Sequence, residues 1–155
     1  MSKILSFDYE YEHDYILIGV HTSLEDYRVA YFLNEALNLK FKRYKEDLDF
    51  ESKECSFSLY VYEDEVNYNT WSLINNKQYF LEDEDLDPGN LFQNEPKVSY
   101  LIPEKNKVDF FIKISGNIDQ GSLERILQKT KDIKNVITLY TVEPNKLKSK
   151  DFLIF

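Results

Sequence analysis

The chain is 155 residues long, 43% hydrophobic, 30% charged and 15% aromatic, with a formal net charge of −9. That mixture suits one folded domain and excludes a disordered polymer or a membrane-spanning chain, since no apolar run is long enough to cross a bilayer; 4 Gly and 4 Pro supply neither a glycine-rich phosphate loop nor a flexible linker. Residues 1–95 hold 21 acids against 8 bases and residues 96–155 hold 7 against 11, nets of −13 and +4, a field that disfavours direct nucleic-acid binding.

Tyr15–Thr22 (YILIGVHT) is a short run of β-branched, aromatic and aliphatic residues and predicts a strand. Thr22, with Glu25 three residues on, has the form of a capping box, and Leu24, Val29, Phe32, Leu33 and Ala36 recur at helical spacing; together they predict a helix over residues 23–37, stopped by Asn38. Residues 39–48 alternate like a half-exposed strand. So do residues 55–62 and 66–73, which predict a hairpin around the polar turn Glu63-Asp64-Glu65. A short edge follows at residues 79–81.

Residues 82–96 form an acidic loop with its clearest turn at Pro88-Gly89-Asn90. Residues 98–102 and 108–115 predict a second hairpin closed around residues 103–106, with Val108, Phe110, Ile112 and Ile114 inward. Asp119 is a favourable N-cap for a second helix that carries Leu123, Ile126 and Leu127 inward and Lys129 and Lys131 near its end, where cations suit the helix dipole. A strand over residues 136–141 follows. The fold class is α+β, a mostly antiparallel sheet with two helices packed on one face, in which two β-α-β units flank a meander. Residues 1–155 read as a single domain with a basic and apolar tail at residues 144–155. In that tail Lys146, Lys148 and Lys150 precede Phe152-Leu153-Ile154-Phe155, an apolar end that either packs as a final strand or serves as a docking peptide.

The stretch Ile102-Pro103-Glu104-Lys105-Asn106-Lys107-Val108-Asp109-Phe110 resembles the signature of a bacterial family named for it, the IPExxxVDY family. It departs from the signature at Phe110, where the family has Tyr. Tyr27-Arg28 followed by Asn34 also resembles that family's amino-terminal half, and similar lengths extend the resemblance to the whole chain. The resemblance implies a fold shared across the family and supplies no catalytic residues. Physically, Pro103 fixes its own φ and biases Ile102 toward extended backbone before a tight connection with Lys105-Asn106 at its tip. Val108 and Phe110 then point one way and Asp109 the other, where it accepts hydrogen bonds from a neighbouring strand or from turn amides. Glu104 and Asp109 have a structural role on this reading; ligand contact is the alternative.

The remaining candidates are weak. His13 lies among Glu10, Glu12 and Asp14, but its spacing matches no metal-ligand pattern and a solvated acidic strand accounts for it. Residues 82–87 (EDEDLD, with Glu82 and Asp87 at the ends) lack the alternate spacing and the glycine of a calcium loop. Cys55 has no base beside it in sequence and cannot form an intrachain disulfide. Trp71 reads as a packing residue. No catalytic, cofactor or metal residue is assigned, and no cofactor is expected. The expected function is a cytoplasmic protein-binding or adaptor module whose acidic half docks a basic partner. Its candidate surface is Arg28, Glu104, Asp109, Phe152 and Phe155, and a homodimer through a sheet edge is a further expectation. The alternative is a small-molecule- or metal-dependent enzyme using the acids near His13 or at residues 82–87.

Overall fold

The computed structural model describes residues 15–81 and 95–155. Its centre is the pair of strands with the most continuous apolar burial. β1 (Tyr15–Thr22) and β7 (Phe110–Ser115) run antiparallel, from Tyr15 opposite Ser115 to Val20 opposite Phe110. Neither shows the alternation of a one-sided strand, because both faces of the sheet are covered at this point. β4 (Asn69–Asn75) flanks β7, with β3 (Leu59–Asp64) beyond it and the two-residue β2 (Lys42–Arg43) at that edge. β8 (Val136–Val142) lies outside β1 at the other edge. The order in the six-stranded sheet is β2-β3-β4-β7-β1-β8. β5 (Lys77–Phe80) and β6 (Lys97–Tyr100) form a separate antiparallel pair.

Helix α1 (Asp26–Leu37) carries the chain from β1 to the far edge, and α2 (Gln120–Lys131) carries it from β7 to β8. Since β7 and β8 are each antiparallel to β1, they are parallel to one another with β1 inserted between them. The fold is therefore α+β, mostly antiparallel sheet, with two split β-α-β crossovers. Both helices pack on one face: Val29, Ala30 and Leu33 of α1 and Ile126 of α2 close over Ile18, Val20, Ile112, Ile114, Trp71 and Leu73.

The other face has no helix. Leu17, Leu59, Ile74 and Phe111 are covered there by Phe57, Leu101, Ile102, Val108 and Leu147, which lie outside the named strands and helices, and by Leu153 of a 3-10 turn. Irregular backbone over a core carries amide groups that must find partners. Asn76, fully buried between β4 and β5, supplies them. Its Nδ2 donates to the carbonyls of Lys105 at 3.0 Å and Val108 at 2.8 Å, and its Oδ1 accepts the Ile102 N–H at 2.8 Å. Its own N–H donates to the Asp109 carbonyl and its carbonyl accepts from the Leu101 N–H. Gly19 completes the seat, because a Cβ there would stand 3.0 Å from a Val108 methyl.

Several local expectations shift. Helix α1 starts at Asp26, with Glu25 at the N-cap position and no side-chain cap. The Thr22 hydroxyl instead donates to the Asn135 carbonyl at 2.7 Å while accepting the Leu24 N–H at 3.2 Å. Residues 39–48 are not a strand beyond Lys42–Arg43. Asn34 clamps Phe41 by accepting its N–H at 2.8 Å and donating to its carbonyl at 3.2 Å, which turns Phe41 into the core against Trp71. The expected second hairpin is absent: β6 pairs with β5, while β7 sits between β4 and β1. A strand as apolar on both sides as β7 needs two neighbours, and β4 and β1 are the strands that offer two covered faces. Asn38 ends α1 in a left-handed conformation and Asp119 caps α2 by accepting the Ser122 N–H, as the residues predict.

Replacing Asn76 by Ala is predicted to cost about 3–5 kcal/mol in urea unfolding, because it strands one N–H and two carbonyls at about 1–3 kcal/mol each before relaxation. Asn76→Asp should cost at least as much, since it turns a carboxylate oxygen toward the carbonyls of Lys105 and Val108. A loss below about 1 kcal/mol for both would show that the loop is held by something else.

Candidate functional site

Asp109 stands where β1 and β7 part. Its N–H donates to the Val20 carbonyl, its carbonyl accepts from Asn76, and its Oδ2 accepts the Thr22 N–H at 2.9 Å. Asp109 also lines a groove of about 450 Å3 between the start of α1 and β5. Glu25, Asp26, Lys77, Gln78 and Tyr79 share that lining. Asp26 is paired with Arg43 at 3.1 Å, which leaves Glu25 and Asp109 as the lining carboxylates without an ion pair among the described residues. Lys77 is its one cation, held above its ordinary pKa by hydrogen bonding to Tyr79 first, with the charge of Asp109 a lesser cause.

Tyr79 and Phe110 are the aromatic residues that line this groove. Tyr79 is 56% exposed, and Tyr27 and Tyr31, one helical turn apart on α1, are 58% and 57% exposed. The Tyr27 phenol is raised by its hydrogen bond to Glu25 and by that carboxylate's charge. Arg28 is exposed on the same helix, with its guanidinium 6.0 Å from the Phe32 ring.

The five candidate surface residues are not brought together. Asp109 lines the groove and Arg28 stands within the first turn of α1 beside it, whereas Glu104, Phe152 and Phe155 belong to a clasp on the helix-free face. Glu104 accepts the Ser149 N–H at 2.7 Å and the Ser149 hydroxyl at 2.9 Å. Partial burial alone would raise its pKa, but these hydrogen bonds outweigh burial and hold it below the usual value. The closing residues are a 3-10 turn at Lys150–Leu153, not a strand. Leu153 is fully buried, and Phe152 packs edge-on against Phe50 at 4.9 Å. Phe152 and Leu153 therefore pack, but in a turn, while Ile154 and Phe155 stay 68% and 48% exposed.

The clasp has a cation that sequence reasoning missed. Lys113, on the central strand β7, is 8% exposed and donates from Nζ to the Leu153 carbonyl at 2.6 Å. The same ammonium lies 4.4 Å from the Phe155 ring centre and 4.8 Å from that of Tyr15. Among the described residues no side-chain carboxylate pairs with it, and burial pushes its pKa down. Its place within FFIKIS was the one available signal: a lysine inside an otherwise apolar central strand.

The other candidates supply no chemistry. Burial raises the Cys55 thiol, which disfavours the thiolate. Trp71 is a core residue, T-shaped to Phe41, and its Nε1 is buried without a partner among the described residues. His21 meets the Tyr140 hydroxyl at 3.5 Å. No group of three or more metal-ligating side chains occurs among the described residues; His13 and residues 82–87 lie outside them. No described helix is long and apolar enough to cross a membrane. The chain matches no family model, no curated protein and no solved structure.

Deleting residues 152–155 removes the buried Leu153 and strands Lys113, and is predicted to cost about 3 kcal/mol or more in chemical unfolding. Lys113 also sets a pH dependence. Its folded pKa lies below the ordinary 10.5, so over that interval the unfolded chain binds more protons and stability rises with pH. The stability of the wild type relative to Lys113→Met should accordingly climb as pH is raised from neutrality toward 10.5. A difference that stays flat, measured by urea unfolding at several pH values, would show that the ammonium is not desolvated.

Proposed function

We propose that this chain is a cytoplasmic protein-binding module that docks a basic, extended segment of a partner protein in the groove between α1 and β5. The observation that supports the proposal is the lining of one groove by the carboxylates Glu25 and Asp109 beside the exposed ring of Tyr79. An arginine side chain suits both features, since its guanidinium forks onto carboxylate oxygens and lies flat on tyrosine. Tyrosine-rich, partly charged surfaces are also the composition that protein interfaces favour. The −13 net charge of residues 1–95 would draw such a segment in from a distance.

We further propose membership of the IPExxxVDY family, with its signature serving the fold. Pro103 and Glu104 stand at the head of the loop that Asn76 holds, Glu104 ties down Ser149, and Asp109 joins β7 to the end of β1. Phe110 is buried against the helix-side core, a position at which a ring without a hydroxyl packs freely.

The test is a titration of the full chain with a short arginine-rich peptide, followed by 15N chemical-shift mapping, with a glutamate-rich peptide as control. The proposal predicts shifts centred on Glu25, Lys77, Tyr79 and Asp109, weakened by salt and lost in Glu25→Lys. Shifts spread evenly over the acidic surface, or unaffected by Glu25→Lys, would contradict a docking groove at this place.

A further inference from the structure

At the other end of α1 from the groove, a second hollow of about 610 Å3 opens between the two helices and the β3–β4 hairpin. One wall is the hairpin, with Tyr62 and Asp64 of β3. Another is α2, with Arg125 and Lys129 one turn apart on its exposed side. Asn38, just past α1, and Asn117, just before α2, flank the opening.

The charged lining consists of the carboxylates Asp64 and Asp119 and the cations Arg125 and Lys129. Asp119 is used locally, accepting the Ser122 N–H and hydroxyl at the cap of α2. Those bonds, and to a lesser degree the charge of Arg125, hold its carboxyl below the ordinary pKa. Lys129 and Asp64 are placed differently, since neither makes an ion pair among the described residues. Asp64 accepts the Asn67 N–H at 3.1 Å and the Asn67 Nδ2 at 2.7 Å, and these bonds keep it ionised by lowering its pKa. A carboxylate offers about four acceptor sites, so capacity remains.

Unpaired charges of opposite sign on different walls of one hollow select the ligand. A simple anion would meet Asp64 and Asp119 as well as the cations, and a simple cation would meet Arg125 and Lys129. A zwitterion finds an opposite charge at each of its ends. The side-chain amides of Asn38 and Asn117 bond to no described residue, and each can donate and accept, which suits an uncharged polar group. The hollow is also of the size of small-molecule sites. We propose that it binds a free α-amino acid with an uncharged polar side chain, the carboxylate held by Lys129 and Arg125 and the ammonium by Asp64.

Trp71 is the one Trp of the chain and lines the same hollow, so its fluorescence reports occupancy. The experiment titrates the full chain with L-glutamine, with glutaramate, which lacks the ammonium, and with 4-aminobutanamide, which lacks the carboxylate. Trp71 emission and the melting temperature are followed together. L-Glutamine should give a saturable change in one readout or both, and each analogue should bind at least roughly tenfold more weakly, because a charge-assisted contact is lost. Lys129→Gln and Asp64→Asn should weaken L-glutamine by a similar factor. Lys129 is exposed on α2, so Lys129→Gln should melt like the wild type, and it decides alone if Asp64→Asn fails to fold. L-Glutamine that changes neither readout overturns the proposal. So does an analogue that binds as tightly as L-glutamine, or a Lys129→Gln variant that binds it as the wild type does.

Discussion

One buried asparagine makes the helix-free half of this protein possible. A sheet face can be covered by a helix, which satisfies its own amides, or by loops, which do not. Here loops cover it, and the segment around Ile102 to Asp109 would place unpaired carbonyls and N–H groups over Phe111 and Leu17. Asn76 answers them with both ends of its side-chain amide and with its own backbone. A carboxylate there has no donor for the two carbonyls, and an alkyl group has neither donor nor acceptor. The rest follows in sequence: the loop is fixed, Val108 seats over Gly19, Asp109 is delivered to the end of β1, and Glu104 is left facing Ser149.

The same arrangement explains which parts of the fold were legible. β1 and β7 are nearly continuous apolar runs, and local signals at Asn38 and Asp119 mark helix ends, because a cap is decided within a few residues. Residues 39–48 misled because Leu39 and Phe41 alternate as a strand would, while the clamp from Asn34 that bends them inward acts from the preceding helix. The pairing of residues 98–102 with 108–115 failed for a related reason. Neighbours in sequence are the natural first choice for a hairpin, but β7 gains two covered faces by pairing with β4 and β1. Asn76 itself offered little beyond its place in an Asn75-Asn76 pair after the apolar stretch of β4.

The candidate surface divides along the same line. Asp109 was read as a hydrogen-bond acceptor and Thr22 is the donor it meets, but Val108 and Phe110 do not share a face as expected, since Val108 joins the helix-free core and Phe110 the helix-side core. Glu104 was legible as structural but its partner was not, since Ser149 is far along the chain and carries no motif. Phe152 packs on Phe50, whereas Phe155 lies over the Lys113 ammonium and stays 48% exposed. On the proposed reading, the surface offered to another molecule is the groove beside α1, lined by Glu25, Asp109 and Tyr79.

The central claim is that both ends of the Asn76 side-chain amide are spent inside the protein. It is tested most directly by the exchange of side-chain amide protons in D2O, followed by NMR on the wild type. The Nδ2 protons of Asn76, donated to two carbonyls in a buried site, should persist long after those of the solvent-exposed Asn67 have exchanged. Loss of the Asn76 signal at the rate of Asn67 would contradict the claim and with it the account of how residues 101–109 are held.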